Sequence, residues 1–306
     1  MRRFVAALLL AAASAEEEVR IYFGCGCFWH VQHELIKGES TILGRTASCY
    51  QSLTGYAGGT QLNAKGHTCY GDYTGLGHTE VVGLSVPNSS VAAFGAEFWK
   101  LFVGQDRVDT MDRGPAYRAA IGVPGGMASE LVAVINRSQA SRAARDGWWF
   151  RLEAGEGNDP DTLGKPLVWV YDTNKYPFYQ AERYHQFHDD FLPGGDYDAT
   201  YNQLYSLFDS EERMKATSCP KECVNNYLGV QCIDNKASVP SPAPSTPPTT
   251  VGSQDQAIAA SPLTSPSPTT SGSKDDQPRN TSRPVSGTPS QCVLLVKLLL
   301  VAKLFF

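Results

Sequence analysis

Apolar positions near the start of the chain change from the pattern of a strand to that of a helix. Residues 19–23 form a short, largely apolar run that predicts a strand. Phe28, Val31, Leu35 and Ile36 then recur at helical spacing, so a helix is expected directly afterwards. The few residues between these two patterns must form a tight strand-to-helix junction.

Further along the chain, short apolar runs alternate with helical patterns. Because strands that alternate with helices are typical of helices packed on a sheet, the sequence predicts an α/β domain. The predicted strands and helices are strands at residues 79–86, 117–123 and 167–171, and helices at residues 91–103, 127–135, 179–191 and 198–208.

The N-terminus has the layout of a secretory signal. Two arginines follow Met1, residues 4–13 are apolar, and the small residues Ala13, Ser14 and Ala15 come before a run of acidic residues. An apolar run of this length is too short to span a membrane, so we predict a signal peptide at residues 1–15 and a secreted or surface-anchored protein. The folded domain is then expected at residues 16–235.

Composition changes sharply after the folded domain. Residues 236–291 contain more than half of the 19 prolines, many Ser and Thr, and no aromatic residue, which predicts a disordered linker or stalk. Residues 292–306 are mostly apolar, interrupted by Lys297 and Lys303. This tail, with small residues upstream, indicates either a GPI-attachment signal or an amphipathic tail, and in both cases a possible membrane tether.

Charge and cysteine content narrow the possible functions. The 306 residues carry a formal net charge of −5, and without a basic excess a nucleic-acid partner is not expected. Eight cysteines in an exported chain suggest disulfides, and Cys49 and Cys69 are plausible halves of structural ones.

Cys27 lies in the junction between the first strand and the first helix, directly before Phe28 and Trp29. Unpaired backbone N–H groups and the helix dipole at this place are expected to lower the pKa of a thiol, and the thiolate is its reactive form. The two aromatic residues suggest an apolar pocket beside the sulfur. The alternatives are a small buried hydrophobic residue and, with Cys25, a pair of disulfide halves.

Five local motifs occur in a defined order between residues 21 and 207. They are GCFW at 26–29, TGYAGG at 54–59, GHTEVV at 77–82, DRGPAYR at 112–118 and FYQAERYHQ at 178–186. In this order and at these spacings, the set resembles the peptide methionine sulfoxide reductase A family. The resemblance implies a two-layer α/β sandwich with a ferredoxin-like core. It also implies thiol-dependent reduction of the S epimer of methionine sulfoxide, free or in proteins.

The resemblance assigns a role to each matching residue. Cys27 matches the nucleophile, and Glu80 matches the acid that protonates the sulfoxide oxygen. The other matching residues are Tyr56 and Tyr117 as phenols that hydrogen-bond this oxygen, Asp112 as a further polar residue, and Phe28 and Trp29 as the pocket for the substrate methyl group.

The chemistry requires these residue types for physical reasons. A sulfoxide sulfur becomes electrophilic when its oxygen receives a proton, so a carboxyl group in the site must stay near-neutral, which burial favours. Phenols stabilise charge that develops on the oxygen. Each residue also has a simpler interpretation when taken alone: Glu80 as a solvated strand residue, Tyr56 in a turn, Tyr117 in the core, and Asp112 in a surface pair.

A second thiol must react with the sulfenic acid that forms on Cys27. Cys219, Cys223 and Cys232 follow the last predicted helix and are the candidates for this resolving cysteine. Their spacing also suggests a zinc site as an alternative, but no fourth ligand is close. Cys25 is another possible partner, although so short a loop would be strained.

No bound cofactor and no metal are expected, with thioredoxin or a small dithiol as the reductant. The resemblance implies no metal at His185 and His188, and His30 and His33 fit a solvated helix face. His30 and the stretch at 37–53 depart from the family pattern. The alternative function is therefore a catalytically degenerate exported module that binds sulfoxide-bearing or apolar peptides.

Overall fold

The computed structural model describes residues 16–188, 197–219, 221–226 and 229–234. All of them belong to one of the two compact units into which the chain divides; the other unit, residues 237–288, lies outside the described residues. The predicted signal peptide at 1–15, the stalk at 236–291 and the tail at 292–306 also lie outside them. Among the described residues, no helix has both the length and the apolar character needed to cross a bilayer.

The described residues form eleven strands and five α-helices. The helices are α1 (Phe28–Leu43), α2 (Val91–Trp99), α3 (Glu130–Ser138), α4 (Ala140–Asp146) and α5 (Ala199–Ser210). The strands are β1 (Glu18–Gly24), β2 (Leu53–Ala57), β3 (Thr79–Pro87), β4 (Phe102–Val103), β5 (Asp106–Arg107), β6 (Ala120–Val123), β7 (Arg151–Ala154), β8 (Leu167–Asp172), β9 (Tyr179–Gln180), β10 (Lys221–Asn226) and β11 (Gly229–Asp234).

Seven strands form one mixed sheet in the order β7-β8-β6-β1-β3-β2-β9. Its centre, β6-β1-β3-β2, is antiparallel throughout, and α1 and α2 connect its strands in the sequence βαββαβ. This order is the ferredoxin-like arrangement, so the predicted α/β fold with a ferredoxin-like core is confirmed. β8 extends the core by pairing in parallel with β6, and β7 pairs in parallel with β8.

The sheet has a helical layer on one face. Alternate residues of the central strands, including Ile21, Phe23 and Val82, pack with apolar side chains of α1, α2 and α3 in the largest core cluster. The opposite face carries Tyr22 and Val81, which pack against Tyr171 and Tyr176. The two layers place the carboxyl end of β1 beside the amino end of β3.

Several predicted elements are confirmed with shifted ends. The strands expected at 79–86 and 167–171 and the helix expected at 198–208 correspond to β3, β8 and α5. The helix expected at 91–103 ends at Trp99, and the helix expected at 127–135 begins at Glu130 after a 3₁₀ turn. The strand expected from residue 117 begins at Ala120, because a 3₁₀ turn holds Pro115–Tyr117.

The helix predicted at 179–191 was wrong over its described part. Tyr179 and Gln180 form the edge strand β9 against β2, followed by a 3₁₀ turn at Arg183–His185. Close packing against the sheet decides this: an added Cβ at Gly55 would lie 2.3 Å from the Tyr179 carbonyl oxygen. Phe187 has a φ of 55°, a left-handed conformation that cannot continue a right-handed helix. Residues 189–191 lie outside the described part.

The C-terminal part of the described chain returns to the domain. Helix α5 contributes Leu204 and Phe208 to a second core cluster with Ile36 of α1. A disulfide joins Cys219, which follows α5 along the chain, to Cys69 in the long connection between β2 and β3. The two Cα atoms are 5.7 Å apart. Strands β10 and β11 then pair with each other as an antiparallel hairpin.

Candidate active site

Cys27 is the residue directly before the first turn of α1, and its backbone is extended. Its backbone N–H donates to Oδ2 of Asp109 across 2.7 Å, so a carboxylate from outside the helix caps the junction. The preceding residue, Gly26, has a φ of 73°, and an added Cβ there would lie 2.3 Å from Asp109 Oδ2. A glycine is therefore required for the close approach of Asp109 to Cys27.

Glu80 lies near the start of β3 and is buried. Its Oε2 accepts the backbone N–H of Phe28 across 2.9 Å, and its Oε1 accepts the hydroxyl of Tyr73 across 3.1 Å. Burial raises the pKa of Glu80 to about 8, with a further contribution from the negative charge of Asp112, whereas the Phe28 N–H lowers it. At neutral pH this carboxyl group is therefore mostly protonated and able to donate a proton.

The environment of the Cys27 thiol differs from the sequence-based expectation. Burial raises its pKa above the ordinary value, the negative charge of Glu80 raises it further, and the N–H of Trp29 acts in the opposite direction. The expected lowering by the helix N-terminus was wrong, because desolvation outweighs the helix contribution at a sulfur that is only 7% exposed. Protonation of Glu80 removes its negative charge, which is the second cause of the raised Cys27 pKa.

Phenolic groups surround the Glu80 carboxyl group. Tyr73 is buried and donates to Glu80, and the hydroxyl of Tyr117 interacts with those of Tyr73 and Tyr70. Tyr117 is half-buried, and Tyr70 is 47% exposed at the edge of the cluster. Burial, followed by the charge of Glu80, raises the pKa of all three hydroxyls, so they remain hydrogen-bond donors over the physiological range.

The hydroxyl of Tyr56 is directed to Glu182 and not to Glu80. It donates to Oε2 of Glu182 across 2.8 Å, although its ring packs against those of Phe28 and Tyr73, with centroids 5.9 and 4.7 Å away. The resemblance implied that Tyr56 hydrogen-bonds the sulfoxide oxygen, but its hydroxyl is engaged by Glu182, and the hydroxyl that contacts Glu80 belongs to Tyr73.

Asp112 reaches the cluster from the loop after β5. Its carboxylate interacts with the thiol of Cys27 and is half-buried. Burial raises the pKa of Asp112, and the neighbouring charge of Asp109 raises it further. The structure thus brings the carboxyl groups of Glu80, which is buried, and Asp112, at the rim, to the Cys27 thiol, while Asp109 accepts the Cys27 N–H.

An aromatic wall extends from the start of α1. Trp29 lies against His188 and His185, with ring centroids 4.0 and 5.9 Å away, and Phe28 lies 5.2 Å from His185. Burial lowers the pKa of His185 to about 3, so its ring is neutral and behaves as an aromatic surface. Phe28 and Trp29 therefore both lie beside the neutral ring of His185, an aromatic surface that suits an apolar group.

The described cysteine side chains separate into free thiols and disulfides. Cys25 and Cys27 are the free thiols among them, and Cys25 is sealed in the core with its thiol 3.7 Å from the Leu101 carbonyl oxygen. Cys49 and Cys69 are both disulfide-bonded, as expected of structural halves. Cys219, a predicted resolving candidate, is the partner of Cys69 and is not a free thiol in this structure.

The other two resolving candidates lie opposite each other in the hairpin. Cys223 of β10 and Cys232 of β11 are register partners. Backbone register alone does not assign the resolving step to either of them, so both remain candidates.

Four residues of the cluster were not predicted from the sequence: Tyr70, Tyr73, Asp109 and Glu182. Tyr73 and Asp109 come from loops, and Glu182 contacts both Tyr56 and the Tyr70 backbone N–H. Asp109 accepts the backbone N–H groups of Met111 and Asp112, two and three residues later. An Asp that bonds to the backbone in this way is typical of a turn, so it could have indicated a structured loop. No local signal identifies Tyr73 over the neighbouring Tyr70.

Comparison with known proteins gives structural matches alone. No protein-family model and no curated protein match this chain. Similar solved structures include Mxr1 from Saccharomyces cerevisiae in reduced form, at 18% identity and a TM-score of 0.41, covering 60% of this chain and 91% of that chain. Methionine sulfoxide reductase A of Corynebacterium diphtheriae is 16% identical, with a TM-score of 0.37, and covers 71% of this chain and 85% of that chain.

Mxr1 from Saccharomyces cerevisiae in an unusual oxidised form is a further match. It is 15% identical, with a TM-score of 0.33, and the match covers 58% of this chain and 82% of that chain. At these identities and TM-scores, the matches assign no activity to this chain.

Proposed function

We propose that this protein reduces methionine-S-sulfoxide, free or in proteins, to methionine through the thiol of Cys27. The observation that carries the proposal is a buried, proton-carrying carboxyl group fixed beside the nucleophile. Glu80 accepts the N–H of Phe28, the residue after Cys27, and its pKa is raised to about 8. A sulfoxide oxygen at this position would receive hydrogen bonds from Glu80 and Tyr117, with Tyr73 holding the Glu80 carboxyl group, while the substrate methyl group contacts Phe28 and Trp29.

The two carboxyl groups have separate roles in the first step. Asp112 accepts the thiol proton as the Cys27 sulfur attacks the sulfoxide sulfur, and Glu80 donates a proton to the sulfoxide oxygen. Asp112 passes the thiol proton on to this oxygen, which leaves as water, and the sulfide remains bonded to the Cys27 sulfur as a positively charged sulfonium. Water then attacks that sulfur, which releases methionine and a proton and leaves a sulfenic acid on Cys27.

Regeneration requires a further thiol and an external reductant. A thiol condenses with the sulfenic acid to form a disulfide and water, and a thioredoxin-like protein or a small dithiol reduces this disulfide while becoming oxidised itself. No bound cofactor takes part in these steps. Cys219 serves as the resolving thiol only after its bond to Cys69 is reduced, which leaves Cys223 and Cys232 as the alternatives.

The proposal extends to the place where the protein acts. Residues 1–15 support export, residues 236–291 support a stalk, and residues 292–306 support a surface tether. Mass spectrometry of the termini of the protein recovered from its host tests this. A mature N-terminus at Glu16 is expected, and an uncleaved Met1 would contradict export through a cleaved signal.

A peptide assay tests the reaction itself. The protein is incubated with peptides that contain the S or the R epimer of methionine sulfoxide, with dithiothreitol as reductant. We expect reduction of the S epimer by the wild type and by Cys25→Ala, and none by Cys27→Ser. Cys25→Ala is the matched control because it removes the neighbouring thiol, which lies in the core away from Glu80.

The same assay separates the alternative function. Binding of the sulfoxide peptide by the wild type without any reduction would support a degenerate binding module. Equal reduction by the wild type and Cys27→Ser would also overturn the proposed mechanism.

A further inference from the structure

Three buried side chains with metal-ligating atoms meet beside the candidate active site. They are Cys69, Cys219 and Glu182, which are 4%, 0% and 4% exposed. The two sulfurs and one carboxylate oxygen all lie within 4.8 Å of one another. In the structure described here the two sulfurs form a disulfide, so the group can act as a ligand set only after that bond is reduced.

Cys69 and Glu182 are held in place by contacts other than the disulfide. The backbone N–H of Cys69 donates to Oδ1 of Asp72 across 2.7 Å. Glu182 accepts the Tyr70 N–H on Oε1 and the Tyr56 hydroxyl on Oε2, each across 2.8 Å. These bonds stay intact when the sulfur–sulfur bond is broken, so Cys69 and Glu182 keep their relative positions.

Cys219 is also anchored near the same place. The preceding residue, Ser218, accepts the ammonium group of Lys65 on its carbonyl oxygen across 2.8 Å, and the Cys219 sulfur lies 3.9 Å from the Thr68 carbonyl oxygen. Lys65 and Thr68 belong to the loop that carries Cys69. Loss of the disulfide therefore leaves Cys219 close to its former partner.

Two thiolates and one carboxylate are suitable ligands for zinc. Zn²⁺ binds sulfur at about 2.3 Å and carboxylate oxygen at about 2.0–2.2 Å in tetrahedral geometry, which places the ligand atoms roughly 3.5–3.8 Å apart. The three ligand atoms lie within 4.8 Å of one another, so they must move by about one ångström to bind a zinc ion. Reduction allows this because the two sulfurs can then separate from their bonded distance. Water would complete the fourth position.

We propose that reduction of the Cys69–Cys219 disulfide creates a buried site for a thiophilic divalent cation, with zinc as the expected ion. A dithiol reductant supplies two electrons and two protons, which break the sulfur–sulfur bond and give two thiols, while the reductant becomes a disulfide. The cation then displaces the two thiol protons into the solvent. The resulting site contains the two thiolates and the Glu182 carboxylate.

This site differs from the zinc possibility suggested by the spacing of Cys219, Cys223 and Cys232. The sequence gives no indication of it, because Cys69 and Glu182 are distant from Cys219 along the chain. It does not depend on the proposed reductase activity, because Cys27 and Glu80 are not among its ligands.

Metal binding to the reduced protein tests the proposal. The full chain carrying Cys27→Ser is reduced with dithiothreitol, separated from it under anaerobic conditions, and titrated with Zn²⁺ against a chromophoric chelator. Co²⁺ titration in parallel reports thiolate ligation through its sulfur-to-metal absorption. We expect one tight site per chain after reduction and none of comparable affinity before it.

Substitutions identify the ligands. Glu182→Gln keeps the disulfide and one of the two accepting oxygens, with its amide NH₂ able to donate to the Tyr56 hydroxyl, and it should weaken Zn²⁺ binding by at least roughly tenfold. Cys69→Ser and Cys219→Ser should abolish the tight site, whereas Cys49→Ser, which removes a different disulfide cysteine, should retain it.

Circular dichroism verifies that each variant is folded. A tight site that survives in Glu182→Gln with unchanged affinity and thiolate absorption would overturn the assignment, as would the absence of any tight site in the reduced protein with Cys27→Ser alone.

Discussion

The backbone N–H of Phe28 donates to Oε2 of Glu80 across 2.9 Å and so fixes a carboxyl group beside the residue that follows Cys27, the proposed nucleophile. The donor belongs to the first turn of α1 and the acceptor to β3, so two elements of the core set the position of the acid. Because this N–H lowers the Glu80 pKa while burial raises it to about 8, the group remains an acid at neutral pH without becoming permanently protonated.

Sulfoxide binding should depend on the protonation of Glu80. In a Cys27→Ser background, which cannot react, the affinity for a methionine-S-sulfoxide peptide should be constant below the pKa of about 8. It should fall by up to about tenfold per pH unit above this value, because the ionised carboxylate cannot donate to the sulfoxide oxygen. Calorimetric titration between pH 6 and 10 measures it.

The matched variant is Glu80→Gln in the same background. Its amide can still donate a hydrogen bond and does not titrate, so its affinity should be independent of pH in this range. A decline of the same size in Glu80→Gln would assign the pH dependence to another group.

Removing the hydroxyl of Tyr73 should slow the reaction far more than removing that of Tyr56. Tyr73→Phe deletes a donor that lies against Glu80, and we expect a loss of kcat of roughly tenfold to a hundredfold. Tyr56→Phe deletes a hydroxyl bound to Glu182 and should lower kcat less than threefold. Single-turnover reduction of the S-sulfoxide peptide measures both, and a larger loss for Tyr56→Phe would reverse the two assignments.

Asp112 should act on the chemical step and not on binding. Asp112→Asn removes the base that accepts the Cys27 proton, so the rate of sulfenic acid formation should fall by about a hundredfold or more. In the Cys27→Ser background the affinity for the sulfoxide peptide at pH 6 should be unchanged, whereas its decline should begin at a lower pH, because loss of the Asp112 charge removes one cause of the raised Glu80 pKa. Trapping the sulfenic acid with dimedone and mass spectrometry gives the rate, and unchanged trapping kinetics would exclude Asp112 as the base.

Asp109 should stabilise the fold and position Cys27 at the same time. Asp109→Ala leaves the N–H groups of Cys27, Met111 and Asp112 without their shared acceptor, and we expect a loss of about 1–2 kcal/mol in the free energy of unfolding together with a lower kcat. Urea denaturation and the peptide assay measure the two effects.

Asp198→Ala is the control for this substitution. Asp198 accepts the N–H of Thr200 at the start of α5, far along the chain from Cys27, so its loss should lower stability without changing kcat. Equal effects of both substitutions on kcat would show that Asp109 acts through general stability alone.

Local patterns predicted the framework better than the polar cluster. The alternation of strands and helices follows from short apolar runs and helical spacings, whereas β2 was not among the predicted strands and the ferredoxin-like core was implied by the family resemblance. The same resemblance pointed to Cys27, Glu80, Asp112 and Tyr117. The edge strand β9 was mistaken for a helix because tertiary packing of Phe178 and Tyr179 on the glycines of β2 and β3 outweighs the local helical pattern.

The remaining differences arise from contacts between distant segments. The Tyr56 hydroxyl is directed by Glu182, 126 residues later, and the Cys27 N–H is capped by Asp109, 82 residues later. Neither relationship leaves a trace in the neighbouring sequence. The raised pKa of the Cys27 thiol likewise depends on the depth of burial, which the strand-to-helix junction alone does not indicate.

The acid and the phenols have different kinds of support in the fold. Glu80 belongs to a central strand, whereas Tyr70 and Tyr73 belong to the connection between β2 and β3, which the Cys69–Cys219 disulfide anchors at one point. Loops change in sequence and length more freely than the strands they join. For the proposed reaction, mutation of this connection can therefore alter which sulfoxides are accepted, while Glu80 and Cys27 keep their mutual geometry, so substrate range and reaction type can evolve independently.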